Sequence, residues 1–435
     1  MARLNECILY RNFEHGEILD KMAELMNAWE KKAPDLKEKE GLFFECANGL
    51  VETAGAYGFS GNLWHCYLTF LLVNNENAFS TACEIRGAVN GSINELALND
   101  FGVFKELYDF DLTVLDEAFG ISCCKVLGDY TNTGSNSKMF NSRIRDRICD
   151  LSKTLAAAES TEEFMKDMVQ FYKDFGVGKL GLHKAFRVGH DENDNVEIQP
   201  ITRIAHVKLE DLVGYEIPKQ KLIENTEAFI SGKEANNVLL FGDAGTGKSS
   251  SIKGILNKYY DEGLRIIEVY KHQFVDLNQI IAQIKDRNYK FIIYMDDLSF
   301  EEFEIEYKYL KAVIEGGLER KPENILIYAT SNRRHLVRER AGDKLEVGAD
   351  DDIHSSDTVQ EKLSLVYRFG VRIYYGAPSK KEFQTIVKAL AQRNGITMPE
   401  DELLLEANKW ELSHGGLTGR TAQQFIDHLL GKVEE

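Results

Sequence analysis

This sequence has few prolines and fewer basic than acidic residues, and each of these features argues against a class of protein. The 435 residues include six prolines and no long serine, glycine or glutamine tract, which argues against a largely disordered chain. Lysine and arginine number 52 against 70 aspartates and glutamates, for a formal net charge of -18. Because an acidic surface repels phosphate backbones, binding to nucleic acid irrespective of sequence is disfavoured.

The sequence also lacks segments typical of secretion or membrane insertion. The opening MARLNECILYRNFEHGE has neither the apolar core nor the small-residue cleavage site of a signal peptide. The longest apolar segment, 63–73, is about 11 residues long, whereas a bilayer-spanning helix needs about 20. We therefore expect 63–73 to be a buried helix, and the protein to be cytoplasmic with no membrane partner.

The cysteines show no pattern of a disulfide framework or a zinc site. They are odd in number, all precede residue 150, and none forms a C-x-x-C pair. We expect reduced and mostly buried thiols, with the adjacent pair Cys123 and Cys124 as an alternative redox or metal site. The seven are Cys7, Cys46, Cys66, Cys83, Cys123, Cys124 and Cys149.

Hydrophobic periodicity divides the chain into a mainly helical part and an α/β part. Residues 1–184 show helical spacing, and AFRVG and VEIQPIT within 185–205 flank a polar tip, which predicts a hairpin or linker. From 206 to 376, apolar strands alternate with helices, which predicts a parallel sheet covered on both faces. Only helical patterns follow in 377–435. The predicted strands are 238–241, 264–270, 291–295, 325–330 and 371–375.

The segment VLLFGDAGTGKSS is a phosphate-binding motif in the right context. It places G-x-x-x-x-G-K-[ST] directly after an apolar strand and before a helix. The glycines allow backbone N–H groups to wrap a phosphate, and the lysine neutralises its oxygens, while the serine hydroxyl ligates Mg²⁺. The motif therefore predicts that ATP and Mg²⁺ bind here. The predicted binding residues are Gly242, Asp243, Ala244, Gly245, Thr246, Gly247, Lys248, Ser249 and Ser250.

Polar residues end the next two apolar strands after 264–270. FIIYMDD ends in Asp296 and Asp297, and ILIYATSN ends in Asn332. In P-loop enzymes the first carboxylate holds Mg²⁺ through water and a following acidic group orients the attacking water. We therefore predict Ser249 and Asp296 as metal-site residues, Asp297 as the catalytic carboxylate, and Asn332 as a contact to the attacking water or the γ-phosphate.

With these motifs in order, residues 206–432 resemble an AAA+ ATPase. HVKLEDLVGYEIPKQKL (206–222, here called the entry segment) is similar to the part of that family in which residues near Val213 and Gly214 hold the adenine. Asp296 and Asp297 match its Walker B motif and Asn332 its sensor 1. Arg368 in KLSLVYRFG is similar to the arginine finger, and Arg420 in GGLTGRTAQQF to sensor 2 at the start of a lid helix.

The resemblance implies a fold and several properties of the site. The fold would be α/β, with a P-loop AAA+ core in 206–376, a helical lid in 377–435 and a mainly helical N-terminal domain in 1–184. DDLSFE, ATSNRRHL and GRTAQQF more narrowly resemble an uncharacterised bacterial AAA+ family known only as a domain of unknown function. The resemblance also implies a homo-oligomer, as a ring or partial ring, in which Arg368 completes the site of a neighbouring subunit.

The expected function is ATP hydrolysis that drives conformational work on a macromolecular partner held by the N-terminal domain. Asp297 stands where many AAA+ members have glutamate, so an assembly switch with negligible turnover remains an alternative. A loader-like DNA-associated ATPase is a further alternative, suggested by the RFG sequence and the arginines of 333–340, and the net charge disfavours it. Arg368 itself could instead be a cation near a helix C-terminus, and 342–357 is interpreted as an acidic loop.

Overall fold

The chain forms two compact units, Met1–His183 and Lys184–Glu435. The computed structural model describes residues 3–88, 90–132, 142–202, 204–300, 306–315, 322–332 and 365–432. The arginines of 333–340 and the acidic loop interpreted at 342–357 lie outside these residues.

The first unit is helical, as the spacing of its apolar residues predicts. One buried cluster runs through its helices and is rich in aromatic side chains such as Trp64, Phe101 and Tyr172. Ten α-helices are found in the described part of this unit: α1 Glu17–Glu30, α2 Glu40–Tyr57, α3 Leu63–Asn74, α4 Ala78–Arg86, α5 Ser92–Asp109, α6 Thr113–Phe119, α7 Cys124–Gly128, α8 Ser142–Ala157, α9 Thr161–Phe175 and α10 Gly178–Leu182.

The apolar segment 63–73 is the buried helix α3, as predicted. The Asn62 side chain accepts the His65 N–H at 3.1 Å and caps the start of the helix. Every residue from Leu63 to Val73 except His65 is buried, so α3 forms the centre of the unit. Across the described ranges, no helix is both long enough and apolar enough to cross a membrane.

The second unit is built on a seven-stranded sheet with the order β2-β1-β4-β5-β6-β3-β7. All neighbouring strands are parallel except β1 and β2, which form an antiparallel hairpin. The strands are β1 Ala185–His190, β2 Val196–Pro200, β3 Val238–Gly242, β4 Leu264–Glu268, β5 Lys290–Met295, β6 Ile325–Ser331 and β7 Val371–Tyr375.

The hairpin predicted in 185–205 is present, but it is part of the core sheet and not a linker. Strand β1 pairs in parallel with β4 over Ala185–Arg187, so the hairpin extends the core sheet by two strands. Its apolar side chains Phe186, Val188 and Ile198 are buried. A linker would leave these side chains in solvent, whereas pairing with the edge of β4 removes them from water.

Helices α11–α14 connect the strands, and three further helices form the lid. The connecting helices are α11 Glu216–Ile230, α12 Lys248–Tyr259, α13 Leu277–Ile284 and α14 Glu306–Glu315. The lid has a separate apolar cluster that includes Phe383, Ile386 and Phe425. It comprises α15 Lys380–Arg393, α16 Glu400–Ser413 and α17 Gly419–Lys432.

Candidate functional site

A cavity of about 910 Å³ lies where the carboxyl ends of β3, β5 and β6 meet the lid. Parallel strands place their carboxyl ends at one edge of the sheet, which is where open α/β sheets bind ligands. The lining is of two chemical kinds. One group is polar and comprises Lys248, Ser249, Asp296, Asp297, Asn332 and Arg420; the other is apolar and comprises Val207, Leu212, Val213, Ile386 and Leu390.

The phosphate loop between β3 and α12 has the backbone that its glycines permit. Gly242, Gly245 and Gly247 have φ of 137°, 73° and 92°, in the region that L side chains rarely adopt. At Gly242 a Cβ atom would meet the Tyr375 carbonyl oxygen at 2.1 Å. The glycine is therefore required here both by its conformation and by the close approach of β7.

Lys248 lies at the start of α12 and turns back over the phosphate loop. Its Nζ donates to the carbonyl oxygens of Asp243 at 2.6 Å and Gly242 at 3.1 Å. The side chain is buried, and burial lowers the pKa of its ammonium group. The loop thus holds a single buried cation beside backbone N–H groups at a helix N-terminus.

Ser249 and Asp296, the two predicted metal-site residues, are joined directly. The Ser249 hydroxyl donates to Asp296 Oδ1 at 2.8 Å, and Tyr294 and Thr330 donate to the same oxygen at 2.7 and 2.5 Å. Burial raises the pKa of Asp296, but hydrogen bonds from Thr330, Tyr294 and Ser249 outweigh it, so the pKa is lowered. The carboxylate is therefore kept ionised.

Asp297 and Asn332 come together from the ends of β5 and β6. Asn332 Nδ2 donates to Asp297 Oδ1 at 2.8 Å. Asp297 has a φ of 50°, which is uncommon for a residue other than glycine but tolerated by aspartate. Its N–H donates to Thr330 Oγ1 at 2.9 Å, and the next N–H, of Leu298, donates to the Thr330 carbonyl at 2.7 Å. These bonds hold the carboxylate at the cavity.

Arg420 reaches the phosphate loop from the lid. It is the second residue of α17, and its N–H donates to the Gly245 carbonyl at 3.3 Å. A Cβ placed on Gly245 would lie 3.1 Å from the Arg420 Cβ. The positive charge of Arg420 lies close enough to Lys248 to act on its pKa, so the two cations share the polar part of the cavity.

The entry segment forms the apolar wall together with the lid. Val213 packs against the apolar cluster of the lid, whereas Leu212 packs against the cluster beneath the sheet. Gly214 does not line the cavity itself and has a φ of 81°. Three other residues predicted to bind the nucleotide do not line the cavity either, namely Gly242, Asp243 and Ala244. Asp243 Oδ2 accepts the Ala377 N–H at 2.8 Å.

Arg368 is the predicted catalytic residue that does not line this cavity. It lies just before β7 and forms an ion pair with Glu315 at the end of α14. The cavity that holds Lys248 and Asp297 is not lined by Arg368. The role of Arg368 at the site of a neighbouring subunit stays a prediction.

Four lining or supporting residues were not predicted from the sequence. Thr330 and Tyr294 orient Asp296 through hydrogen bonds. Tyr294 precedes Asp296 by two positions, so the two-residue period of side chains along a strand could have indicated that both lie on the same face. Tyr215 stacks on Tyr375 at 5.3 Å and donates to the Gly376 carbonyl at 2.9 Å. Arg393 is the fourth, and a lone arginine in a helical lid carries no pattern that indicates its target.

Arg393 connects the lid to the entry segment at the cavity. Its guanidinium donates to the carbonyl oxygens of Asp211 at 2.5 Å and Glu210 at 3.1 Å, and lies 3.6 Å from an Asp211 carboxylate oxygen. These carbonyls belong to the short 3₁₀ turn Leu209–Asp211 that precedes Leu212 and Val213. Arg393 therefore fixes the turn that carries the apolar wall.

A family comparison identifies residues 182–433 as matching a family described as "Protein of unknown function (DUF815)". The match spans more than half of the chain. The chain belongs to the DUF815 family. This confirms the resemblance to a family known only as a domain of unknown function. The α/β core with a phosphate loop, the helical lid and the helical N-terminal unit likewise confirm the predicted AAA+ fold of this DUF815 protein.

Comparison of the DUF815 chain with solved structures finds variants of RuvB from Thermotoga maritima. Two of these share 17% identity with TM-scores of 0.37, cover 52% of this chain, and are themselves covered over 66% and 67% of their length. The structure titled as the RuvB Holliday junction branch migration motor shares 14% identity with a TM-score of 0.32, over 51% of this chain and 72% of its own. A comparison with curated proteins found no match.

Proposed function

We propose that this DUF815 protein binds ATP with Mg²⁺ and hydrolyses it, and that the hydrolysis cycle drives conformational change in a macromolecular partner. One observation carries the proposal. A single cavity gathers a buried lysine in a phosphate loop, a serine–carboxylate pair, a carboxylate–amide pair and a lid arginine. These groups come from four separate segments of the chain.

The two kinds of lining match the two parts of a nucleotide. The apolar wall of Leu212, Val213 and Ile386 offers a surface for a purine ring, and the phosphate loop offers backbone N–H groups and the Lys248 ammonium for phosphates. A cavity of about 910 Å³ is within the usual size of a site for a small molecule. This combination favours a nucleoside triphosphate over an isolated phosphate group.

The donor set beside the phosphate loop fits Mg²⁺. The ion prefers oxygen ligands and is usually held by one or two carboxylates together with substrate phosphates, and Ser249 Oγ lies 2.8 Å from Asp296 Oδ1. Ser249 and Asp296 would hold the ion, Asp296 through water. When bound, Mg²⁺ would neutralise charge on the phosphate oxygens.

Asp297 and Asn332 are placed to orient the attacking water and to accept its proton. Asp297 Oδ1 accepts the Asn332 amide at 2.8 Å, so Asp297 Oδ2 is the oxygen that we expect to accept a proton from water. Asn332 fixes the plane of that carboxylate. Lys248 and Arg420 contribute the positive charge that stabilises the transferring phosphoryl group.

Replacing Asp297 with asparagine is expected to retain ATP binding and to slow turnover by about 100-fold, the usual range for a lost catalytic base. The change keeps the shape of the side chain and removes its proton acceptor. Calorimetry measures binding and phosphate release measures turnover. Asp286→Asn is a matched control because Asp286 is exposed on the protein surface and does not line the cavity. Equal turnover in both variants would assign the role to another carboxylate.

A role for Arg393 in nucleotide affinity follows from its bonds to the entry segment. Arg393→Ala frees the turn Leu209–Asp211, and the loss of hydrogen bonds from a charged donor is expected to weaken ATP binding at least about tenfold. Calorimetry with ATP measures the effect. Lys388→Ala is the control, since Lys388 is an exposed residue of the same helix that pairs with Glu400. Unchanged affinity in Arg393→Ala would limit Arg393 to a structural contact.

A second candidate function is an assembly switch that binds ATP with negligible turnover. Asp297 favours this alternative because its carboxylate is one methylene shorter than glutamate and its Oδ1 is already engaged by Asn332. Under either function we propose a homo-oligomer, because Arg368 does not line its own cavity. The helical N-terminal unit is proposed to recognise a protein partner.

A further inference from the structure

The N-terminal unit holds two thiols from different helices in direct contact. Cys66 in α3 donates to Cys149 in α8, with the two Sγ atoms 4.0 Å apart. Cys66 is 1% exposed and Cys149 is 8% exposed. The pair is separated by 83 positions in the sequence, so only the packing of α3 against α8 brings the two sulfurs together.

Polar groups contact this pair of cysteines, although both belong to the apolar core of the first unit. Cys66 Sγ lies 3.5 Å from Ser152 Oγ and 3.6 Å from the Ser60 carbonyl, and Ser152 donates to the Cys149 carbonyl at 2.8 Å. The Ser152 hydroxyl is satisfied by this carbonyl, which lies three residues earlier in α8. The Cys66 thiol is the group that donates to the Cys149 sulfur, so it is placed to stabilise a thiolate there.

The acidity of Cys149 differs from that of the other cysteines. The hydrogen bond from the Cys66 thiol, assisted by a backbone hydrogen bond at Ser60, lowers the pKa of Cys149 to about 7 although burial opposes the shift. The pKa of Cys66 is raised, first by its bond to Cys149 and then by burial. Burial raises the pKa of each of the other five cysteines, namely Cys7, Cys46, Cys83, Cys123 and Cys124.

We propose that Cys66 and Cys149 form a reversible redox pair, in which a peroxide converts the two thiols into a disulfide that links α3 to α8. Cys149 is the attacking sulfur and Cys66 the resolving sulfur. This proposal is independent of the nucleotide site, because it depends only on residues of the first unit.

The reaction balances with hydrogen peroxide as the oxidant. The Cys149 thiolate attacks one peroxide oxygen, the O–O bond breaks, and hydroxide leaves to become water after taking up a proton. The Cys66 sulfur then attacks the Cys149 sulfenic acid, the S–O bond breaks, and the oxygen leaves as water with the Cys66 proton. The two thiols together lose two electrons and two protons, and the peroxide is reduced to two waters. A thiol whose pKa lies near the ambient pH is a favourable nucleophile for such exchange.

The adjacent cysteines Cys123 and Cys124 are the competing pair. Ligand atoms of these two and of Asp116 lie within 4.8 Å of one another. The Asp116 carboxylate already accepts the Cys124 N–H at 3.0 and 3.1 Å, and its charge helps to raise the pKa of both thiols. Raised pKa values disfavour the thiolates that oxidation and metal binding require. The sulfurs of Cys66 and Cys149 are in direct contact, so we favour this pair.

The test maps disulfides in the reduced full-length protein after treatment with hydrogen peroxide. After alkylation and proteolysis, mass spectrometry is expected to find a linked peptide pair that contains Cys66 and Cys149. Titration of the denatured protein is expected to fall from seven free thiols by two, and a dithiol reductant should restore them. Seven retained thiols, or a link through Cys123 or Cys124, would overturn the proposal.

Two variants distinguish the roles of the two sulfurs. Cys66→Ser should leave Cys149 as a sulfenic acid that dimedone labels, whereas Cys149→Ser should give no disulfide and no label at Cys66. Cys123→Ser serves as the control and should form the link like the wild type. If Cys149 in Cys66→Ser is not labelled under conditions that link the wild-type pair, the assigned order of attack is wrong. The disulfide map of the wild-type protein decides the proposal even if a variant fails to fold.

Discussion

Replacing Lys248 with alanine is expected to weaken ATP binding by about 100-fold or more, because a phosphate group would lose its charged hydrogen-bond donor. In the structure Nζ is held over the phosphate loop by two carbonyl oxygens at 2.6 and 3.1 Å. The variant keeps the backbone N–H groups and the helix N-terminus, which alone cannot replace the cation. Calorimetry with Mg-ATP measures the loss.

Lys253→Ala provides the matched control for this experiment. Lys253 lies on the same helix α12, is exposed and does not line the cavity, so its removal changes the charge of the protein by the same amount. We expect ATP affinity to be unchanged in this variant. Circular dichroism establishes that both variants are folded. If Lys248→Ala binds ATP as tightly as Lys253→Ala, the phosphate loop does not bind the nucleotide.

Arg368→Ala is expected to reduce ATP hydrolysis by about 10³- to 10⁵-fold, the range for an arginine that stabilises a transferring phosphoryl group. Arg368 does not line the cavity of its own chain, and within its chain it forms an ion pair with Glu315. An effect of this size would therefore have to arise at the cavity of a neighbouring subunit. Wild-type specific activity should then rise with protein concentration as subunits assemble.

Mixing two inactive variants tests this role directly. Arg368→Ala has an intact cavity and Lys248→Ala has an intact Arg368, so mixed oligomers should regain part of the wild-type phosphate release. Glu315→Gln controls for the ion pair within the chain and should retain far more activity than Arg368→Ala. The role at a neighbouring site would be contradicted if the mixture stays inactive although the two variants co-assemble, or if the wild-type protein is a fully active monomer. Arg368 would then be a structural cation.

Sequence alone predicted the strands of the core because each is a short apolar run separated from the next by a helical pattern. The strand predicted at 371–375 is β7, Val371–Tyr375, and those predicted at 238–241 and 325–330 each extend by one residue at the carboxyl end. The hairpin was predicted as a pair of strands, but its pairing with β4 was not. Which edge a hairpin joins depends on long-range packing that the local alternation of residues does not encode.

The site residues likewise divide into those that could be predicted from the sequence and those that could not. The phosphate loop and the carboxylates could be predicted because spacing and context define them. Thr330, which donates to Asp296 and fixes the backbone of Asp297, and Arg393 could not, because their partners lie on other elements. The pair of Cys66 and Cys149 is likewise a product of the fold, since helical periodicity places each on a buried face without indicating its neighbour.

Phosphate release by the purified full-length protein with Mg-ATP tests the central claim most directly, provided that calorimetry measures ATP binding in the same samples. The account predicts that the wild-type protein binds ATP and releases phosphate, and that Asp297→Asn binds ATP but releases phosphate about 100-fold more slowly. Binding without release in both proteins would contradict hydrolysis and favour the assembly switch. Absence of ATP binding by the wild-type protein would contradict the nucleotide site itself.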